Sequence, residues 1–454
     1  MNTSCVQQFN VRSLARNCKP FTRRLPVHPA LMTTNRTRVL VIAEACNPTW
    51  TSVPLVGYQF ARALAKRSDL EVTVATHVRN RPALADDELA QLARICYIDN
   101  EWLARPLHRL SGLVRGGQGL SWTIDTAMAW PAYMAFEHQL HRRLERWLAC
   151  GAFDLIHRIT PLSPTMGSPL AAWTEVPMLI GPLNGGLPWP AEYPELRSQE
   201  REWLVPLRNL YKRLPFYGST YRRLSGVIAG SRHTATEVPE SYAGKRFYLP
   251  ENGVDPERFP IAESWPEPKG RFTFISVGRL VPYKGTHLII EAMSGSPILR
   301  NCNLVVVGDG PQRAALEEQV SRSGLQNNVR VAGWVNQPAL ARELGTSQAF
   351  VFPSLREFGG GVVLEALASG LPSIVVDYGG PAELVTPECG ELLPMRPREE
   401  LVVALRQSME RLATDPERCR ALGAAACQRV RDEFTWDVKA DRIVRMYGEL
   451  LRHN

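Results

Sequence analysis

The stretch "AFVFPSLREFGGGVVLEALASG", Ala349 to Gly370, runs from an apolar segment through a charged loop and three glycines into a second apolar segment. The first run, aromatic and β-branched and stopped by Pro353, reads as a buried strand, and "GVVLEALAS" reads as a helix. The loop between them carries Glu357, and Gly359, Gly360 and Gly361 lead straight into the helix that holds Glu365. Strand, glycine turn and helix make the repeating unit of a doubly wound α/β sheet. They also make an anion site, because the first amides of a helix are unpaired and partly positive and glycines let a phosphate approach the backbone. Two carboxylates beside a phosphate are repulsive unless they meet hydroxyl groups, so a sugar nucleotide suits this loop better than a bare phosphate. In that reading Glu357 faces whatever hangs beyond the phosphates, and Glu365 accepts hydrogen bonds from a ribose.

The positive partners lie upstream in "SVGRLVPYKGTHLIIEAM". A strand followed by Arg279, with Lys284 at a helix start, puts two cations at the carboxyl end of a neighbouring strand, where α/β folds bind ligands. Together they neutralise a diphosphate without a metal, and no Asp-x-Asp motif occurs in the chain. No resident cofactor and no metal are therefore expected.

From Arg38 onward the same alternation continues. In the first half "RVLVIA", "EVTVAT", "FDLIH", "PMLIG" and "GVIAG" read as strands; in the second, "RFTFISV", "NLVVVG", "VRVAG", "AFVFPS" and "PSIVVD". Amphipathic stretches such as "GYQFARALAKR" and "QRAALEEQVSR" sit between them, so each half reads as its own parallel sheet. The seam is "DPERFPIAESWPEPKG", Asp255 to Gly270, rich in proline and charge. Helical stretches near 398–413, 416–434 and 436–452 follow, and no internal repeat is visible.

Composition bounds the rest. At 454 residues with 44% hydrophobic side chains, the chain suits two domains of about 200 residues with real cores. No apolar run approaches the roughly 20 residues that span a bilayer. The nine cysteines are scattered, which argues against a zinc site and a disulfide framework and for a reducing cytoplasm. The net charge of +8 falls partly in the first residues, where Arg12, Arg16, Lys19, Arg23 and Arg24 have no acidic company. Residues 1–35 are expected to be a disordered basic arm, or to be untranslated, with synthesis starting at Met32. Nucleic acid is set aside, since no binding module accompanies the charge.

The second half resembles the donor domain of retaining glycosyltransferases of family 4 (glycosyl transferases group 1), on the two-Rossmann GT-B fold. The likeness rests on "ENGVDPERF", "SVGRLVPYKG", "VVVGDGPQRAALE", "VRVAGWV", "FVFPSLREFGGGVVLEALASGLP" and "GGPAELV", in the family's order and near its spacing. It implies an α/β chain with an acceptor-binding domain at 36–260, a nucleotide-sugar donor domain at 261–434, and a last helix at 435–454 crossing back to the first domain. It implies that Arg279 and Lys284 hold the donor diphosphate, Glu357 contacts the transferred sugar, and amides near Gly360 and Gly361 bind phosphate. Glu365 then binds the ribose, and Trp334 and Val335 lie against the base. Asp309 in "GDGP" is either a further site residue or part of a turn.

The first half resembles the family less tightly, through "NPTWTSVPLVGYQFARALAK", "FDLIHRIT" and "GPLNGG". Relatives carry two histidines in Asp-x-x-His-x-His, the second at the reacting centre; here His157 holds the first place and Ile159 the second. The role falls to His157 or to a backbone group near Thr160, with Gly185 and Gly186 near the phosphates. The segment "REWLVPLRNLYKRLPFYGSTYRRL", with Arg208, Lys212, Arg213, Arg222 and Arg223 among aromatics, reads either as a peripheral contact with an anionic bilayer or as a solvated helical face. The activity implied is metal-independent hexosyl transfer with retention from a nucleotide-diphosphate sugar, UDP first, to a hydroxyl of a saccharide, glycolipid or lipid-linked acceptor in polysaccharide or glycoconjugate assembly. The alternatives are a catalytically silent donor-binding scaffold and a GT-B sugar-nucleotide epimerase.

Overall fold

Among the described residues, thirteen short, mostly buried strands form two all-parallel sheets. The first contains β1 (Thr37–Ala43), β2 (Leu70–His77), β3 (Arg94–Ile98), β4 (Leu155–Thr160), β5 (Met178–Leu183), β6 (Gly226–Ala229) and β7 (Lys245–Tyr248), in the order β3-β2-β1-β4-β5-β6-β7. The second contains β8 (Thr273–Val277), β9 (Asn303–Val307), β10 (Val329–Gly333), β11 (Ala349–Phe352), β12 (Ser373–Val376) and β13 (Gly390–Leu393), in the order β10-β9-β8-β11-β12-β13. This computed structural model describes residues 36–114, 122–199 and 211–452. The basic arm and Arg208 therefore lie outside the described residues.

In both sheets the strand order reverses beside the first strand, which opens a crevice at the carboxyl ends of β1 and β4 in one and of β8 and β11 in the other. Strands covered on both faces by helices need apolar side chains throughout, and every residue of β4, β5, β6, β11 and β12 is buried. The ten expected strands all form. The three further strands, β3, β7 and β13, have mixed composition, and β3 and β7 are edge strands with half-exposed faces.

The residues from Thr37 onward form one compact unit. The last helix, Trp436–Leu451, is capped by Thr435, whose side chain accepts from the Val438 amide. It packs Trp436, Ala440, Ile443, Tyr447 and Leu450 into the core under β1 and β4, so the chain's end completes the first lobe. Bonds also cross between the lobes, Arg356 Nε to the Leu187 carbonyl at 3.0 Å and the Tyr378 hydroxyl to the Pro188 carbonyl at 2.8 Å, while Arg62 Nη1 holds Asp255 of the seam at 3.0 Å.

Tyr217 and Tyr221, in the described part of the basic-aromatic segment, are buried, with the Tyr217 ring edge-on to Tyr211 and tilted against Tyr221, while Lys212, Arg213, Arg222 and Arg223 are exposed. Tyr217 and Tyr221 thus serve the first lobe's core, while these four cations reach the surface. No described helix is long and apolar enough to cross a membrane.

Candidate functional site

A cleft of about 1110 Å³ lies between the carboxyl ends of the two sheets. Two glycines with left-handed backbone, Gly285 and Gly360, shape its second-lobe wall. Gly285 has φ +72°, and a side chain there would overlap the Pro353 carbonyl, so the loop after β8 packs directly on the end of β11. That packing lets Lys284 meet Glu357 in an ion pair, with Nζ also 5.0 Å from the centre of the Phe352 ring. Gly360, at φ +70°, occupies the N-cap of the helix Gly361–Ala368, which has no side-chain cap, and Gly360, Gly361 and Val362 line the cleft.

Of the residues expected at the site, Arg279, Glu357, Gly359, Gly360, Gly361, Glu365, Trp334, Val335 and Asp309 line this cleft. Arg279 is exposed, and Trp334 stands 74% exposed at the rim. Lys284 is not on the cleft wall; its charge is spent on Glu357, which is. Asp309 turns back on its own loop, accepting from the Gly310 amide at 2.7 Å. Glu365 is half-buried, and burial pushes its carboxyl up to about 7.

On the first-lobe wall Gly185 lines the cleft with Asn184, Pro161 and Ser163. Gly186 instead accepts from His233 Nε2 at 3.0 Å through its carbonyl.

His157 does not stand at a reacting centre. It is fully buried in the middle of β4, with Nε2 2.8 Å from the Gly181 carbonyl and Nδ1 2.7 Å from the Tyr447 hydroxyl. A carbonyl only accepts, so Nε2 carries the proton and Nδ1 accepts from Tyr447. Burial lowers the imidazole to about 4, and it stays neutral as a strut between the first sheet and the last helix. Ile159 and Thr160 are likewise fully buried, the Thr160 hydroxyl bonding the Ala45 carbonyl at 3.2 Å.

The structure adds residues the sequence reading had not singled out. Glu251, inside the quoted "ENGVD", lines the cleft beside Asn252, and burial pushes its carboxyl up to about 7. Asn184 reaches across the lobes to the Phe358 carbonyl at 3.1 Å. Lys439 is buried on the last helix with Nζ 2.6 Å from the Pro250 carbonyl. An acid before Asn-Gly on an interlobe linker was the one available signal; Asn184 and Lys439 become visible only once distant segments meet.

The family profile Glycosyl transferases group 1 matches residues 257–429, which contain the second lobe and its wall of the cleft. Over 118 residues the chain is 35% identical to the 2-deoxystreptamine N-acetyl-D-glucosaminyltransferase of Niallia circulans, covering 26% of this chain and 30% of that protein. The chain spans between 30% and 52% of the length of the first curated relatives it matches. Sucrose-phosphate synthase from Thermosynechococcus elongatus superposes with a TM-score of 0.64 at 21% identity, over 92% of this chain and all of that one. Anabaena HepE, solved with UDP and glucose, superposes with a TM-score of 0.54 at 18% identity over 91% of this chain and 100% of its own. The fold is GT-B: two Rossmann-like lobes facing a cleft.

Proposed function

We propose that the protein is a glycosyltransferase that moves a hexose from a nucleotide-diphosphate sugar to an acceptor hydroxyl, with retention and without a metal, in polysaccharide or glycoconjugate assembly. The observation that carries this reading is the convergence of Arg279, Glu357, Gly359–Gly361 and Glu365 on one wall of one cleft, with Lys284 paired to Glu357. One ligand, a sugar joined to a nucleoside through a diphosphate, accounts for all of them. Arg279 and the uncapped amides meet the diphosphate, and Lys284 turns from Glu357 to a phosphate, freeing Glu357 to accept from sugar hydroxyls. Glu365 takes the ribose, and Trp334 and Val335 flank the base. UDP is the first nucleotide to try, since HepE was solved with it.

In the transfer step the bond from the anomeric carbon to the phosphate oxygen breaks as the acceptor oxygen bonds that carbon on the same face. The acceptor's proton passes to the leaving diphosphate. Preorganised donors aimed at the leaving group, Arg279, Lys284 and the helix amides, stabilise the charge that develops there. Closure of the cleft excludes water and limits donor hydrolysis. The free cysteines among the described residues suit a reducing cytoplasm, and the exposed Lys212, Arg213, Arg222 and Arg223 suit a peripheral contact with anionic lipid that carries the acceptor.

Calorimetric titration with UDP, GDP and ADP in EDTA tests the reading. One nucleotide is expected to bind wild type, and Lys284→Ala and Glu365→Ala to weaken it; no binding of any would sink the donor site. A second reading, a donor-binding relative without turnover, is favoured by the withdrawal of His157 into the core. Sugar release with and without added acceptor saccharides separates the two.

A further inference from the structure

Glu251 sits on the passage between the two sheets, just after β7, and lines the cleft with Glu357 and Gly359. A methyl group on Gly359 would fall on Glu251 Oε1 and Asn252 Nδ2, so the carboxyl is pressed against the first glycine of the turn. Asn184 lines the cleft beside this carboxyl, whose Oε2 is buried with no hydrogen-bond partner among the described residues. A buried polar atom left unpaired is costly, and native folds keep few of them outside functional sites.

We propose that Glu251 is a second carboxyl facing the transferred sugar, giving its proton in a hydrogen bond to one of the sugar's hydroxyls while Glu357 accepts from that sugar. The inference rests on the donor-site reading above. A hydroxyl both donates and accepts, whereas an ionised carboxylate only accepts. One carboxylate beside one neutral acid therefore matches a hydroxylated sugar; two carboxylates would select a cation. The site accordingly takes a sugar with free hydroxyls there, not one with a free amine in that place.

The surroundings keep Glu251 protonated. Burial raises it to about 7; Asn184 works against that, and the charge of Glu357 adds to it. The cation that acts on it, Lys439 on the last helix, is itself lowered to about 7, by burial first and then by Arg442, with Glu251 and Glu433 opposing. Its Nζ is committed to the Pro250 carbonyl. The acid form is present below about 7 and lost above it, so affinity for the sugar nucleotide falls as pH rises through that value.

The test is calorimetry on the full chain at pH 6 and 8.5, first with UDP, GDP and ADP. The nucleotide that binds is then replaced by its glucose, N-acetylglucosamine and mannose conjugates, with thermal melts as a fold control. Glu251→Ala is expected to weaken the preferred conjugate about 10-fold and the bare nucleotide by less than about 2-fold. Glu251→Gln, whose amide donates at every pH, is expected to stay within about 3-fold of wild type at pH 6 and to lose the fall at pH 8.5. Wild-type affinity for the conjugate in Glu251→Ala, or an unchanged pH dependence in Glu251→Gln, would overturn the inference alone. Failure of wild type to bind any nucleotide would overturn the donor site first and this inference with it.

Discussion

β4 and β11 hold the same place in their sheets, each the strand added across the reversal point from the first. Their ends are used differently. After β11 the chain presents Glu357, three glycines and an uncapped helix to the cleft. In β4, His157 and Thr160 are both spent on internal bonds, to Tyr447 and Gly181 and to Ala45. Equivalent topology offers a crevice twice; only the side chains decide whether it holds ligand chemistry or fastens the chain to itself.

Removing the cation from the β11 side should have the largest effect. Lys284→Ala is expected to cost about 100-fold in nucleotide affinity with the melting temperature nearly unchanged, as truncating one member of a charged contact does. Affinity within a few-fold of wild type would place the ligand elsewhere. Next comes the packing that brings the loops together: Gly285→Ala should destabilise by about 2–3 kcal/mol in urea unfolding, from overlap with the Pro353 carbonyl and the left-handed backbone.

On the β4 side the effects should fall on stability, not on binding. Tyr447→Phe leaves the buried His157 Nδ1 unpaired and should cost about 1–2 kcal/mol, with nucleotide affinity per folded molecule preserved. A lost affinity there would return His157 to the site. The histidine also sets an acid limit: folded His157 takes a proton only near 4, while the unfolded chain takes it near 6.5. Stability should fall as pH drops between those values, and His157→Gln should flatten that slope. The smallest expected change is a few-fold loss of affinity for the bare nucleotide in Glu365→Gln, read by calorimetry.

The second lobe was legible because its signals are local. Strand, loop, glycine turn and helix occur within Ala349–Gly370, and the residues that line the cleft are neighbours in sequence. The first lobe's strands could be read from their apolar runs, but the role of His157 could not, because its partners are Gly181 and a tyrosine on the last helix. In sequence a histidine in a strand looks the same whether it faces a ligand or a hydroxyl brought from elsewhere in the chain. Glu251 was hidden for a related reason: its burial comes from both lobes and the last helix together. The edge strands β3 and β7 were missed because their half-exposed faces dilute the apolar pattern.

The bond between His157 and Tyr447 joins residues 290 positions apart. On a ribosome the first sheet emerges long before the helix that closes its core, so it must wait with an apolar face uncovered while the whole second lobe is made. During that interval the nascent protein is a client for chaperones and a hazard for aggregation. Truncation before Trp436 should make the waiting state permanent, yielding an insoluble product even though every residue of the cleft's second-lobe wall is still encoded.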